Sequence, residues 1–124
     1  MYGKAKQAEE GLTVLAEALA QVHKTGEHFY EAELYRLQGE LLLMQALPDE
    51  QQVETCFRQA LDIARYQQAK SLELRAAMSL SRLWQHQGKT EPARQLLTAV
   101  YEWFTEGFDT ADLQEAKALL EQWA

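Results

Sequence analysis

The chain has 124 residues, 47% of them hydrophobic and 25% charged, with a formal net charge of −7. A domain of this size buries about two thirds of the surface its unfolded chain exposes, so neither disulfide nor metal is needed to hold it. The acidic balance argues against a nucleic-acid surface and against an anionic-membrane binder, both of which need clustered Lys and Arg.

Between sparse Gly and Pro residues, apolar side chains recur at three- and four-residue spacing, the period of helices packed on one face. Leu12, Leu15, Leu19 and Val22 form the first stripe, and Gly26 follows as a C-terminal cap, where left-handed backbone is cheap only for glycine. A second helix runs up to Pro48-Asp49. Asp49 and Gln52 have the spacing of a capping box and open a third helix, striped by Phe57, Ala60, Leu61 and Ala64. Leu80, Leu83 and Trp84 mark a fourth, closed by Gly88. Thr90 is the expected N-cap of the fifth, with Pro92 in its first turn and Leu96, Leu97, Val100 and Phe104 on its inner face. Gly107 ends it, and Asp109 or Thr110 starts a sixth helix reaching Trp123. No segment alternates with a period of two, so the expected class is all-α with about six helices.

Local composition shows no break between the third and fourth helices, but internal repetition demands one. Ala18 and Ala60 stand 42 residues apart, each preceded three positions earlier by a bulky residue, Leu15 or Phe57, and the pair returns as Leu97 and Val100. Gly39 and Ser81 are also 42 apart, each followed three residues later by a large side chain, Leu42 or Trp84. Shifting the Gly26 turn by the same interval lands on Gln68, so a turn is expected between about residues 67 and 71. A continuous helix there would remove the repeat.

Gly39 with Leu42, Ser81 with Trp84, and Gly88 followed by Ala93, Leu97 and Val100 resemble the tetratricopeptide repeat. The resemblance implies an α-α superhelix of antiparallel hairpins, with a small residue where paired helices cross and a large one filling the adjoining gap. The interval exceeds the family's usual length of about 34 residues, which implies helices longer by about two turns per pair. Segments 31–42 (EAELYRLQGELL), 71–77 (SLELRAA) and 103–113 (WFTEGFDTADL) are also similar to the C-terminal repeat regions of bacterial nucleotide-cyclase and STAND-type ATPase signalling proteins. The implied role is a non-catalytic interaction or regulatory module of a larger bacterial signalling protein. Its partner would be a protein or peptide segment, including an upstream cyclase or ATPase domain of the same chain. By repeat phase residues 1–124 form one domain, a fragment of something longer, whose first helix lacks its pair. That leaves part of the Leu12, Leu15 and Leu19 stripe open, and self-association into a homodimer through it is the alternative function.

Cys56 is the only cysteine, which fits a reducing, cytoplasmic setting. The first residues lead into charged helix and not into a signal-peptide core. The longest apolar run, Leu41 to Met44, is far too short to span a bilayer. Nucleic acid and membrane are therefore not expected partners.

No catalytic, cofactor or metal site is expected. His23 and His28 flank a turn without helical ligand spacing, and His86 has no acidic motif around it, so surface or helix-end histidines are the simpler reading. Cys56, beside Phe57 on the inward face, reads as a buried thiol and not a nucleophile. The acidic pairs Glu9/Glu10, Glu31/Glu33 and Asp109/Asp112 suit helix starts and solvated faces better than acid/base work. The six glycines are isolated, with no phosphate-cradling loop. Among Tyr101, Trp103, Phe104 and Phe108, the Phe pair is expected to pack the last helix, with Tyr101 or Trp103 exposed.

The candidate site is the face lined in the tetratricopeptide family by first-half helices. Counting from Gly39 it comprises Glu33, Arg36, Glu40 and Leu43, and counting from Ser81 it comprises Arg75, Met78, Arg82 and Gln85. Two readings stand side by side: a groove for an amphipathic or charged segment, and a salt-bridged, solvated face. Members that grip a C-terminal carboxylate use Lys and Asn where this chain has Arg36 and Glu40, and the chain contains no Asn at all, which argues against binding of chaperone tails.

Overall fold

The computed structural model describes residues 2–25, 30–45, 47–104 and 110–123, with the side chains of residues 7–21 in the first helix. Among the described residues six helices follow one another: α1 Tyr2–Thr25, α2 Glu31–Leu43, α3 Glu50–Tyr66, α4 Lys70–His86, α5 Thr90–Tyr101 and α6 Ala111–Gln122. No strand occurs among the described residues, so the all-α expectation is met. No helix is long and apolar enough to cross a membrane, again among the described residues.

The turn demanded by the repeat is present. Helix α3 stops at Tyr66, and Gln68 takes the left-handed conformation, φ 56°, before α4 begins at Lys70. Ala69 N donates to Ala64 O at 2.9 Å, a bond five residues back that closes a Schellman turn. The α4–α5 connection is built alike, with Gly88 at φ 83° and Lys89 N donating to Trp84 O at 2.8 Å. Glycine announces the second turn, and glutamine hides the first.

Other boundaries need small corrections. Helix α2 ends at Leu43, short of Pro48, because Met44 N and Gln45 N tighten onto Leu41 O and Leu42 O at 3.1 and 3.2 Å. Asp49 caps α3 as expected, accepting from the amides of Gln51 and Gln52 at 3.1 and 3.3 Å. Lys89, not Thr90, is the N-cap of α5, since the Schellman turn closes on Lys89 and the helix resumes at once. That helix ends at Tyr101, well before Gly107. Phe104 lies beyond it, its amide donating to Tyr101 O at 3.1 Å, and still packs against the core. Thr110 caps α6 through Leu113 N at 3.4 Å. Gly26, His28, Gly107, Phe108 and Asp109 lie outside the described residues, as does the side chain of His23.

The small-residue positions set the packing. A Cβ added to Gly39 would stand 2.5 Å from Phe57 Cε1, so α2 crosses α3 as closely as glycine allows. Ser81, fully buried, donates its hydroxyl to Ala93 O at 3.1 Å where α4 crosses α5. The bulky members of the repeated pairs, Leu15, Phe57 and Leu97, all turn inward. Each helix packs on the next, and α2 also packs on α4 and α4 on α6. Helices α2, α4 and α6 thus form a contiguous layer, with one core running from Leu42 and Phe57 to Leu113 and Ala116.

The N-terminal stripe is not free. Leu15 and Leu19 are each 8% exposed and Leu12 is half-buried against the core. Packing of α1 on α2 consumes the face that was expected to stand open for self-association, because one neighbouring helix is enough to cover a stripe this narrow.

Candidate functional site

The layer of α2, α4 and α6 carries a concavity of about 380 Å³, lined by Arg36, Glu40, Arg75, Met78, Arg82, Asp112 and Glu115. The first five come from the groove expected by counting from Gly39 and Ser81. They converge because α2 and α4 lie side by side in the same layer, with Arg36 Nη1 donating to Ser79 Oγ across the contact at 3.4 Å.

Its guanidinium groups are all engaged. Arg75 reaches in two directions, donating from Nε to Asp112 Oδ2 at 2.9 Å and from Nη1 to Glu33 Oε2 at 3.3 Å. The hydrogen bond to Asp112, reinforced by the charges of Asp112 and Glu33 against the cost of burial, raises the Arg75 pKa. Arg36 pairs with Glu33 on its own helix and lies 3.9 Å from Glu40, while Arg82 pairs with Glu115 of α6. Three arginines therefore face four carboxylates, Glu33, Glu40, Asp112 and Glu115, with Met78 as the apolar member.

The remaining predicted members stand elsewhere. Glu33 joins the network through its ion pairs without lining the concavity. Leu43 is half-buried and packed on the core, a correction that follows from its place at the end of α2, where the helix turns toward α3. Gln85 is exposed and outside the concavity, three residues past Arg82 on the last turns of α4. Asp112 and Glu115 escaped the sequence reading, which had no small-residue landmark in α6 from which to count. The only signal was their spacing, which puts both on one face of a helix opened by Thr110.

No family model, curated protein or solved structure matches this chain.

The groups considered for chemistry are placed as follows. Cys56 is 6% exposed, its Sγ 3.7 Å from Gln38 Oε1, and burial pushes its pKa up, which leaves the thiol protonated and a poor nucleophile. Glu9 and Glu10 are exposed, and Asp112 is ion-paired. Among the described residues no three His, Cys, Asp or Glu side chains are grouped to hold a metal. Trp103 is 57% exposed, meets Phe104 edge-on at 5.3 Å and carries Lys70 Nζ over its ring at 5.0 Å. The same Lys70 pairs with Glu73 at 3.0 Å, as does Arg65 at 3.2 Å, so a carboxylate only 5% exposed is neutralised beside the α3–α4 turn. On the side of α4 facing α3, Arg58 lies 5.4 Å from the Trp84 ring centroid and Trp84 Nε1 donates to Glu54 at 3.2 Å.

Proposed function

We propose that the chain is a non-catalytic protein-interaction module of tetratricopeptide type, an α-α superhelical stack belonging to a larger bacterial signalling protein, which docks a partner segment in the α2–α4–α6 concavity. The supporting observation is the convergence of Arg36, Arg75 and Arg82 with Met78, Asp112 and Glu115 from three separate helices. Helix-borne groups held by ion pairs on both sides are pre-positioned, so a partner is met without a large ordering cost. The partner class is a protein segment of mixed charge. An adjoining catalytic domain of the same signalling protein is the natural source, as the sequence resemblance implies.

Selection from a displayed library of about 15-residue peptides tests this reading. Enriched peptides should carry both Asp or Glu and Lys or Arg, and should lose binding to a folded Arg36→Glu, Arg82→Glu double variant. Failure to enrich any sequence, or enrichment that survives the double variant unchanged, rejects the groove as the docking site.

A further inference from the structure

Three sides of α2 are occupied: α3 and α4 cover two, and α1 lies along a third. Toward the remaining side the helical period places Leu34, Leu37, Leu41 and Met44 in one stripe. Leu41 borders α1, since a Cβ at Gly11 would come within 2.9 Å of its Cδ1. Leu37 and Met44 keep 37% and 43% of their surface open, and Val14 on α1 keeps 63%. Val14, Leu37, Leu41 and Met44 thus give the α1–α2 pair an open apolar side, the α1–α2 trough.

The molecule itself contains an example of what fills such a trough. The positions 42 residues on in α4 (34 to 76, 37 to 79, 41 to 83) are Ala76, Ser79 and Leu83, exposed by only 1%, 2% and 3%. They are covered because α2 packs on α4, with Arg36 donating to Ser79. The occupant suited to this side is therefore a helix.

Charge selects which helix. The described charged side chains of α1 are Glu9, Glu10 and Glu17, all exposed, while Lys4, Lys6 and Lys24 stand at its ends. Glu10 and Glu17 lie four residues before and three after Val14, on the same flank of the helix. On the opposite rim stands Glu40, three residues after Leu37, its side chain 38% exposed. Carboxylates on both rims attract a basic helix. They disfavour a second copy, because a two-fold dimer on this face would bring together two sets of the Glu10, Glu17 and Glu40 carboxylates.

We infer that the α1–α2 trough docks a basic amphipathic helix of a partner protein, with its apolar face on Leu37, Leu41 and Met44 and its Lys or Arg residues against Glu10, Glu17 and Glu40. The surface adjoins the α2–α4–α6 concavity, with Glu40 on the border between them, but does not depend on the function proposed for that concavity.

The probe is a fluorescein-labelled peptide of about 18 residues, with leucines at helical i, i+3, i+4, i+7 spacing and lysines flanking them, beside a scrambled peptide of the same composition. Each is titrated with the full chain by fluorescence anisotropy. The expected result is saturable binding of the amphipathic peptide. It weakens about tenfold or more with Leu37→Asp, and likewise with the pair Glu10→Lys, Glu17→Lys, and is unchanged by Arg82→Glu. These substitutions fall at positions open to solvent, and circular dichroism reports that each variant keeps its helices. Equal binding of the scrambled peptide, indifference to Leu37→Asp, or no binding up to about 1 mM overturns the inference. A concentration-dependent dimer in sedimentation equilibrium that is lost with Leu37→Asp also overturns it, because a second copy is then the occupant.

Discussion

Substituting Gly39 by alanine adds one methyl group at the closest crossing in the molecule. Its Cβ would lie 2.5 Å from Phe57 Cε1, 2.8 Å from Cδ1 and 3.1 Å from Cζ. Carbon atoms in comfortable contact stand about 3.5–4.0 Å apart, so the overlap is close to 1 Å at the nearest atom. Three atoms along one edge of the ring are involved, and Phe57 has no exposed surface, so turning the ring does not clear the clash. Helices α2 and α3 must move apart instead. Overpacking costs about 1–3 kcal/mol in general, and three ring atoms with no room to move put this case at about 2–3 kcal/mol, of which the better helix propensity of alanine returns about 1 kcal/mol. The net loss is about 1–2 kcal/mol, a fall of about 4–8 °C in the melting temperature of a chain this size. Gly11→Ala is the control. There the new Cβ meets Leu41 Cδ1 at 2.9 Å, but this is the mobile end of a half-buried side chain, and the propensity gain should leave stability within about 0.5 kcal/mol of the parent or above it. Thermal and urea unfolding followed by circular dichroism read both variants. Phe57→Leu introduced beside Gly39→Ala should recover part of the loss, with a coupling energy of about 1 kcal/mol. A Gly39→Ala variant as stable as the parent would refute the close α2–α3 crossing.

Two further substitutions probe the turns and the α3–α4 contact. Gln68→Gly should raise stability by about 0.5–1 kcal/mol by relieving a left-handed non-glycine residue, and Gly88→Gln should cost a similar amount, since nothing lies within 4 Å of its added Cβ and the penalty is purely conformational. If urea unfolding ranks either variant the other way, the two turns are not built alike. At Glu54, burial works to raise the pKa, but hydrogen bonds from Arg58 and Trp84, with the charges of Arg58 and Lys89, outweigh it and hold the value below 4.5. Folding thus weakens this proton's binding, so the stabilisation is present above the ordinary carboxyl value and lost as pH falls through the lowered one. Glu54→Gln should cost about 1 kcal/mol at neutral pH, with a difference from the parent that closes as the pH falls through the lowered carboxyl value; a gap that persists into strong acid would remove the charge as its cause.

Six helices and most of their stripes are legible in the sequence because apolar spacing records which face of a helix is covered. The α3–α4 turn is the instructive case. Glutamine at a left-handed position leaves no compositional trace, yet spacing between Gly39 and Ser81 requires the break, since two close crossings of the same kind recur only if the chain reverses between them. The concavity was readable where those two residues provided a phase, which placed Arg36, Glu40, Arg75, Met78 and Arg82. It was not readable in α6, which offers no comparable residue. The Leu12, Leu15 and Leu19 stripe shows the opposite limitation. Periodicity tells that a face is apolar but not which neighbour buries it, and α2 does so within the chain.

Arg75 has one more consequence. In a stack of hairpins each unit meets only its immediate neighbours, so the ends can fray without disturbing the middle. A single guanidinium held by Glu33 on one side and Asp112 on the other ties the central hairpin to both flanking units through the same charge. Separating α4 from either neighbour strips Arg75 of one carboxylate and leaves it the other, so the two contacts of the central helix share one charge.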